Sequence, residues 1–385
     1  MPASHIFKEV SIMEHSNHLI MGIITGMLFG IVLFKVGAVR YSRVEGMLLL
    51  RDLKIMKFAF TGIATASIIY GLADILGFAE STNLIPRIMP YMGVAHIIGG
   101  IMFGIAMASA GFCPGSCVAR VGAGKFISAA GLIGLIIGVL IYNAIQPSLV
   151  EAGILGNKQD LTLYGVLGVS YGPLAVVWGV LFLIFALIAD YVDPAKKFYQ
   201  EKYSFNLIKD EWHWALGGVA AGSIIAWATA QGEYLGFSGA LLALVGWVAD
   251  SLGHPLSNVV PKITESIIWH AGLIIGVLPG AFLAAIISGK FKFDPVPPAF
   301  AQVAPMPWVR MILVFFAGMF LAIGALIGGG CTTGAFLAAY PTLSIGSMVM
   351  SGTYFIVGVL TANLIYMGRW SRFIEAKKAS EEVYD

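Results

Sequence analysis

Residues 100–117 read GIMFGIAMASAGFCPGSC. An apolar, glycine-rich run ends on Gly111-Phe112-Cys113, and a new segment opens at Pro114-Gly115-Ser116-Cys117. Proline has no backbone N–H to lose at a first helical position, so Pro114 predicts a helix start with Cys113 as its cap. Residues 328–334, GGGCTTG, have the same form. Gly329 and Gly330 let the backbone turn, and Thr332 and Thr333 supply hydroxyls for freed amides beside Cys331.

The run itself recurs. Residues 26–39, GMLFGIVLFKVGAV, match residues 100–113 without a gap at Gly26/Gly100, Phe29/Phe103, Gly30/Gly104, Ile31/Ile105 and Gly37/Gly111. A weaker copy, GMFLAIGALIGGGC at 318–331, ends on Cys331 where the second copy ends on Cys113, and a marginal fourth lies at 218–231. The apolar spans after the second and third of these place Asn143 and Asn363 at equivalent positions. Gly-x-x-x-Gly spacing by itself also follows from close helix packing. Packing alone does not account for cysteine in one register twice.

Outward from these breaks, 58% hydrophobic and 11% charged residues exclude a water-soluble globular chain. Runs of roughly 20 apolar residues, enough for a ~30 Å hydrocarbon layer, fall near 19–39, 55–77, 91–111, 126–146, 171–190, 214–230, 267–288, 308–328 and 344–367. The expected fold is an all-α polytopic membrane protein of about nine transmembrane helices. The run near 236–249 is too short to cross and reads as a re-entrant helix, which needs a protein-lined or watery setting. Residues 1–385 form one membrane domain, with halves 19–190 and 214–367 joined by a linker at 191–213. A second linker, 289–307, is rich in proline. Residues 1–18 show no cleaved targeting peptide.

Lys and Arg in short loops set orientation. Arg40, Arg43, Arg51, Lys54 and Lys57, then Arg120 and Lys125, then Lys196, Lys197, Lys202 and Lys209, then Lys290 and Lys292, then Arg369, Arg372, Lys377 and Lys378 fall on one side if nine spans alternate. The N-terminus is thereby expected outside and the C-terminus in the cytoplasm. The first two repeat copies run inward and the last two outward, the pattern of inverted halves meeting at mid-membrane in an hourglass.

A helix N-terminus presents unpaired N–H groups and partial positive charge, which attract anions and favour a nearby thiolate. Cys113 and Cys331 are therefore candidate path residues, against the plain alternative that buried cysteine packs as a small apolar residue. Cys117, one turn after Cys113, is either a second thiol or packing. Arg120 either holds an anion on its way to the cytoplasm or is one more inward-facing cation. Asn143 and Asn363 either line the path or tie helices together. Lys35 snorkels, and Asp250 is the other charge near the apolar zone. His96, His254 and His270 lack metal-ligand spacing, so no metal or cofactor is expected. Three cysteines exclude a disulfide framework, and the scattered basic residues exclude a nucleic-acid face. No Walker-type loop is present.

The GFCPGSC and GGGCTTGA breaks inside glycine-rich repeats resemble the YeeE/YedE family over most of residues 19–367. That resemblance implies an hourglass of inverted halves and a narrow path in which thiosulfate passes between cysteines through weak S–H···S contacts. Carried over by position, it implies Cys113 and Cys331 as relay thiols. The first repeat carries Val39 where the family has a cysteine. The expectation is an inner-membrane permease for thiosulfate or a related sulfur anion, working beside a small TusA-like sulfur carrier. The competing expectation is a membrane sulfurtransferase that forms a persulfide on Cys113 or Cys331.

Overall fold

Backbone amides in an apolar solvent must be satisfied within the segment, and this chain answers with helices throughout. The computed structural model describes residues 3–156, 158–197, 206–292, 298–301 and 306–369, and all side chains within them except those of residues 3–15, 197, 298 and 299. Residues 198–205 of the linker, with Lys202, lie outside the described residues, as do Pro295, Pro297, Pro305, Arg372, Lys377 and Lys378.

In chain order the helices are α1 (Ala3–Lys35), α2 (Tyr41–Leu48), α3 (Lys54–Ile75), α4 (Val94–Ala110), α5 (Pro114–Gly122), α6 (Ile127–Glu151), α7 (Leu163–Leu167) and α8 (Tyr171–Val192). After the linker come α9 (Trp214–Ala230), α10 (Phe237–Ser251), α11 (Glu265–Ile287), α12 (Pro298–Ala301), α13 (Pro307–Ile327), a π-helix at Thr332–Ala338, and α14 (Ile345–Ile365). Among the described residues, 8 helical stretches are long and apolar enough to cross a membrane, α4 and α5 counting together as one. The ninth expected span is α9, apolar but 17 residues long. At a helical rise of 1.5 Å per residue it covers ~25 Å, which is why it falls short of the others.

Four times, a long helix is followed by a turn, a short helix and another long helix: α1-α2-α3, α4-α5-α6, α9-α10-α11 and α13-π-α14. The four turns fall at the ends of the four repeat copies, so the glycine-rich motif marks one supersecondary unit. The apolar run at 236–249 is α10, a short helix of this kind.

The glycines of the repeats are used for packing. A Cβ on Gly22, Gly26 or Gly30 of α1 would fall 2.1, 2.0 or 2.4 Å from the carbonyl oxygens of Trp269, Leu273 or Val277 on α11. Gly272, Gly276 and Gly280 of α11 meet the carbonyls of Leu19, Ile23 and Met27 in return. Because residue numbers rise together on both sides of the contact, the two helices run parallel. The same holds for α6 with α13, where Gly134 meets Phe315 and Gly138 meets Met319, and for α4 with α14, where Gly100 meets Thr353 and Gly104 meets Val357. Each long helix of the first two units thus lies alongside a long helix of the last two.

The bundle has one end rich in ions. Lys54 meets Glu211 at 2.9 Å, Arg43 meets Asp52 at 2.7 Å, and Lys57 meets Asp190 at 3.0 Å and Asp193 at 2.8 Å. Lys35 reaches Ser288 Oγ at 2.7 Å and the Ile208 carbonyl. Arg40, Arg43, Lys54 and Lys57, among the loop cations that set orientation in sequence, are here buried and paired with acids that include Glu211 and Asp193 of the linker. At the opposite end loops are joined by backbone bridges, Tyr91 with Gln159 and Thr162 with Ser344.

Candidate functional site

Two cavities approach each other from opposite ends of the bundle. The larger, about 560 Å³, opens at the loop end, where Arg87, Lys158, Tyr234 and Asn258 surround it, and its floor is made by Gly329, Gly330, Gly334 and Ser238. The smaller, about 80 Å³, lies toward the ionic end and is lined by Phe29, Phe58, Met107, Phe336 and Phe355 together with Cys113, Ser116, Thr332 and Thr333. Cys331 stands in the chain between the floor glycines of one cavity and the threonines of the other, and is fully buried.

The sequence makes this constriction locally. Gly111 has φ +68°, and a side chain there would run into the Tyr41 ring at 2.2 Å, so only glycine fits the turn before Cys113. Cys113 is extended and caps α5, with Pro114 at the first helical position. Its backbone N–H donates to Ser116 Oγ at 2.9 Å, and that hydroxyl lies 3.4 Å from Cys113 Sγ. Gly329, at φ +86°, turns the chain the same way before Cys331, the cap of the π-helix. A π-helix is wider than an α-helix and tends to occur at functional positions.

Gly334 and Ser238 lie beside the Cys331 thiol. Ser238 belongs to the first turn of α10, so two helix starts converge on one thiol. A thiol keeps its S–H as a donor for a ligand. The inner cavity is lined by sulfur and aromatic side chains, Cys113, Met107, Phe29, Phe58, Phe336 and Phe355, a polarizable lining suited to a soft atom.

The remaining expected residues are dispersed around this line. Cys117 is fully buried and faces away from the cavity, its thiol donating to the Ser128 carbonyl at 3.3 Å. Arg120 turns back to the Gly111 carbonyl at 2.6 Å and lies 5.4 Å from the Phe112 ring centre, so it buttresses the break from behind. Asn143 accepts the Asn258 amide through its backbone oxygen, and Asn363 donates to the Val359 carbonyl of its own helix. Neither lines one of these two cavities. Val39 is buried in the core beside Ala38, which does reach the inner cavity.

Sequence reading missed Arg87, Lys158, Tyr234 and Ser238. Arg87 stacks on Tyr234 with its guanidinium 4.1 Å from the ring centre, which holds a cation at the mouth of the larger cavity. Arg87, Lys158 and Tyr234 belong to loops without repeat or motif, and only folding gathers them. The start of α10 did carry a signal, as a short apolar run with glycine before it.

A frame of long, parallel-packed apolar helices around two cavities that share the 329–338 segment as a wall has the form of a membrane transporter. Comparison with known sequences agrees. A family model described as "Sulphur transport" matches residues 40–361, and the chain belongs to that family. A thiosulfate transporter, TsuA, of Spirochaeta thermophila is 26% identical over 364 residues, covering 90% of this chain and 99% of its own length. A protein of the same name from Escherichia coli is 25% identical over 296 residues, covering 72% of this chain and 76% of its own.

Proposed function

We propose that this chain takes thiosulfate inward across the cell's inner membrane, from the larger cavity past Cys331 to Cys113 and out through the smaller one. The observation that carries the reading is that Gly330 lines the larger cavity and Thr332 the smaller, with Cys331 between them in the chain and Cys113 on the wall of the smaller one. Arg87 and Lys158 raise the local concentration of anions at the mouth. At the constriction the S–H groups of Cys331 and Cys113 donate to the terminal sulfur, while the start of α10 faces the oxyanion end. The names of the relatives from Spirochaeta thermophila and Escherichia coli support thiosulfate as the substrate.

In this reading the ionic end faces the cytoplasm, the N-terminus lies outside, and segments 19–190 and 214–367 are inverted halves whose long helices pair in parallel. A TusA-like carrier at the ionic end would remove the product. A dianion moving inward against ~100 mV works against roughly 4–5 kcal/mol, so removal or a coupled ion must drive accumulation.

The test is uptake into proteoliposomes of thiosulfate labelled separately at each sulfur. A permease delivers both labels together without an acceptor, whereas a persulfide-forming enzyme retains one. Cys113→Ala and Cys331→Ala should each lower uptake by about tenfold or more, the equivalent of ~1.4 kcal/mol at the constriction. Parent-like uptake in both variants would remove the thiols from the path.

A further inference from the structure

Glu45 has no place in the thiosulfate path, yet it lies one residue from the wall of the inner cavity, between Val44 and Met47 of α2. It is fully buried, and neither carboxyl oxygen accepts a hydrogen bond. A carboxylate so placed is costly, whereas a protonated carboxyl is not.

The groups around it connect it to the break at Cys113. Tyr41 is one helical turn before Glu45, and the Arg310 guanidinium of α13 lies 4.7 Å from the Tyr41 ring centre and 4.1 Å from that of Phe300 beside α2. Arg310 donates to the Ser109 and Ala110 carbonyls, and Arg120 of α5 donates to the next one, Gly111. Three successive carbonyls leading into Cys113 are thus held by two buried guanidiniums whose nearby acid is Glu45. Tyr366, past the end of α14, closes the group through a 2.8 Å hydroxyl contact with Tyr41. The cations of α2 and α3 are engaged elsewhere: Arg43 with Asp52, Lys54 with Glu211 and Lys57 with Asp193. Burial pushes the Glu45 carboxyl up to about 8, even against the pull of Arg310 and Arg120.

We propose that Glu45 is a proton-binding site coupled to the Cys113 break, which makes this chain a proton–anion symporter. The inference rests on the inward transport of thiosulfate argued above. With a proton on Glu45, both guanidiniums stay on the carbonyls of residues 109–111 and the break is firm. When Glu45 gives its proton to the ionic end, the carboxylate competes for Arg310 and Arg120 and the turn before Cys113 loosens, releasing the anion. One O–H bond forms and breaks per cycle, and no bond of the anion changes. The proton offsets one of the dianion's two charges.

The test uses the full chain in proteoliposomes carrying pyranine, with the membrane potential clamped by potassium and valinomycin. Adding thiosulfate outside should acidify the lumen of wild-type vesicles. An inside-alkaline gradient of about one pH unit should raise accumulated thiosulfate about tenfold for one proton per anion. Glu45→Gln cannot form the carboxylate that loosens the break, so it should lose both effects together with net uptake, while thiosulfate still raises its melting temperature in detergent as it does that of wild type. If Glu45→Gln does not fold, Glu45→Asp serves instead, with coupling retained and its pH midpoint shifted. Thiosulfate flux without lumen acidification in wild type overturns the inference, as does an unchanged gradient response in Glu45→Gln or an unshifted midpoint in Glu45→Asp. A wild-type protein that moves no thiosulfate at all defeats the transport reading first, and this inference with it.

Discussion

His96, near the start of α4, lies 2.8 Å through Nδ1 from the carbonyl oxygen of Gly328, 232 residues away in sequence and three before Cys331. Its Nε2 accepts the Met92 N–H at 2.9 Å. The ring is therefore neutral, with its proton on Nδ1, and one side chain fixes the turn that delivers Cys331. In His96→Leu both backbone partners lose their bond in a buried setting, at a cost of about 1–3 kcal/mol each. A lowered melting temperature in detergent, together with lost thiosulfate uptake, is the expected result. A variant that melts and transports like the parent would show that the bond holds nothing.

Three thiols in different settings should react differently. Cys113 is half-buried on the inner cavity, while Cys117 and Cys331 are fully buried. A small methanethiosulfonate should modify Cys113 first, and thiosulfate should slow that reaction. Cys117→Ala should keep uptake within about twofold and cost ~1 kcal/mol of packing. Equal labelling of all three would mean that the cavity is not where the geometry puts it.

Backbone contact between α1 and α11 predicts a contrast between two glycines. A Cβ at Gly276 would sit 2.1 Å from the Ile23 carbonyl, whereas Gly352 of α14 has nothing within 4 Å. Gly276→Ala should destabilise the protein, and Gly352→Ala should stabilise it by up to ~1 kcal/mol through helix propensity. Thermal unfolding of the pair reads this directly.

Glu211 gathers Arg40 at 2.9 Å, Lys54 at 2.9 Å and Arg43 at 3.6 Å. Burial opposes its ionisation, but Arg40, Lys54 and Arg43 outweigh burial and hold its carboxyl well below the usual range. A depressed acid contributes stability that is fully present above its unfolded value, near 4.5, and is lost as pH falls through the folded one. Glu211→Gln should therefore cost about 3 kcal/mol at neutral pH by leaving buried cations without their shared acid. The gap in melting temperature to wild type should persist down to pH near the unfolded value and narrow only below it. A gap that closes between pH 7 and 6 would contradict this arrangement.

Much of the frame is legible in sequence because it rests on two local signals, apolar length and glycine register. Gly26, Gly100 and Gly318 mark helices whose backbones touch neighbours, and Gly111 and Gly329 mark turns that no side chain tolerates. The site was only partly legible. Cys113 and Cys331 carry a local signature, but the facing direction of Cys117 depends on α6, which supplies the Ser128 carbonyl. Arg120 looked like a path cation because its partner, Gly111 O, is revealed only when the chain folds back. Glu45 carried no signal at all, since its isolation comes from α13 and the end of α14 closing over α2.

The reciprocal glycine contacts of α1 with α11 have a mechanical consequence. Helices touching backbone to backbone along several turns cannot slide or tilt past one another without separating. The frame is therefore a fixed housing, and passage has to be timed by parts as small as one turn of chain. Such a device resembles a turnstile more than a pair of rocking gates, and its throughput should be limited by how quickly the Gly328–Cys331 and Gly111–Cys113 turns flex.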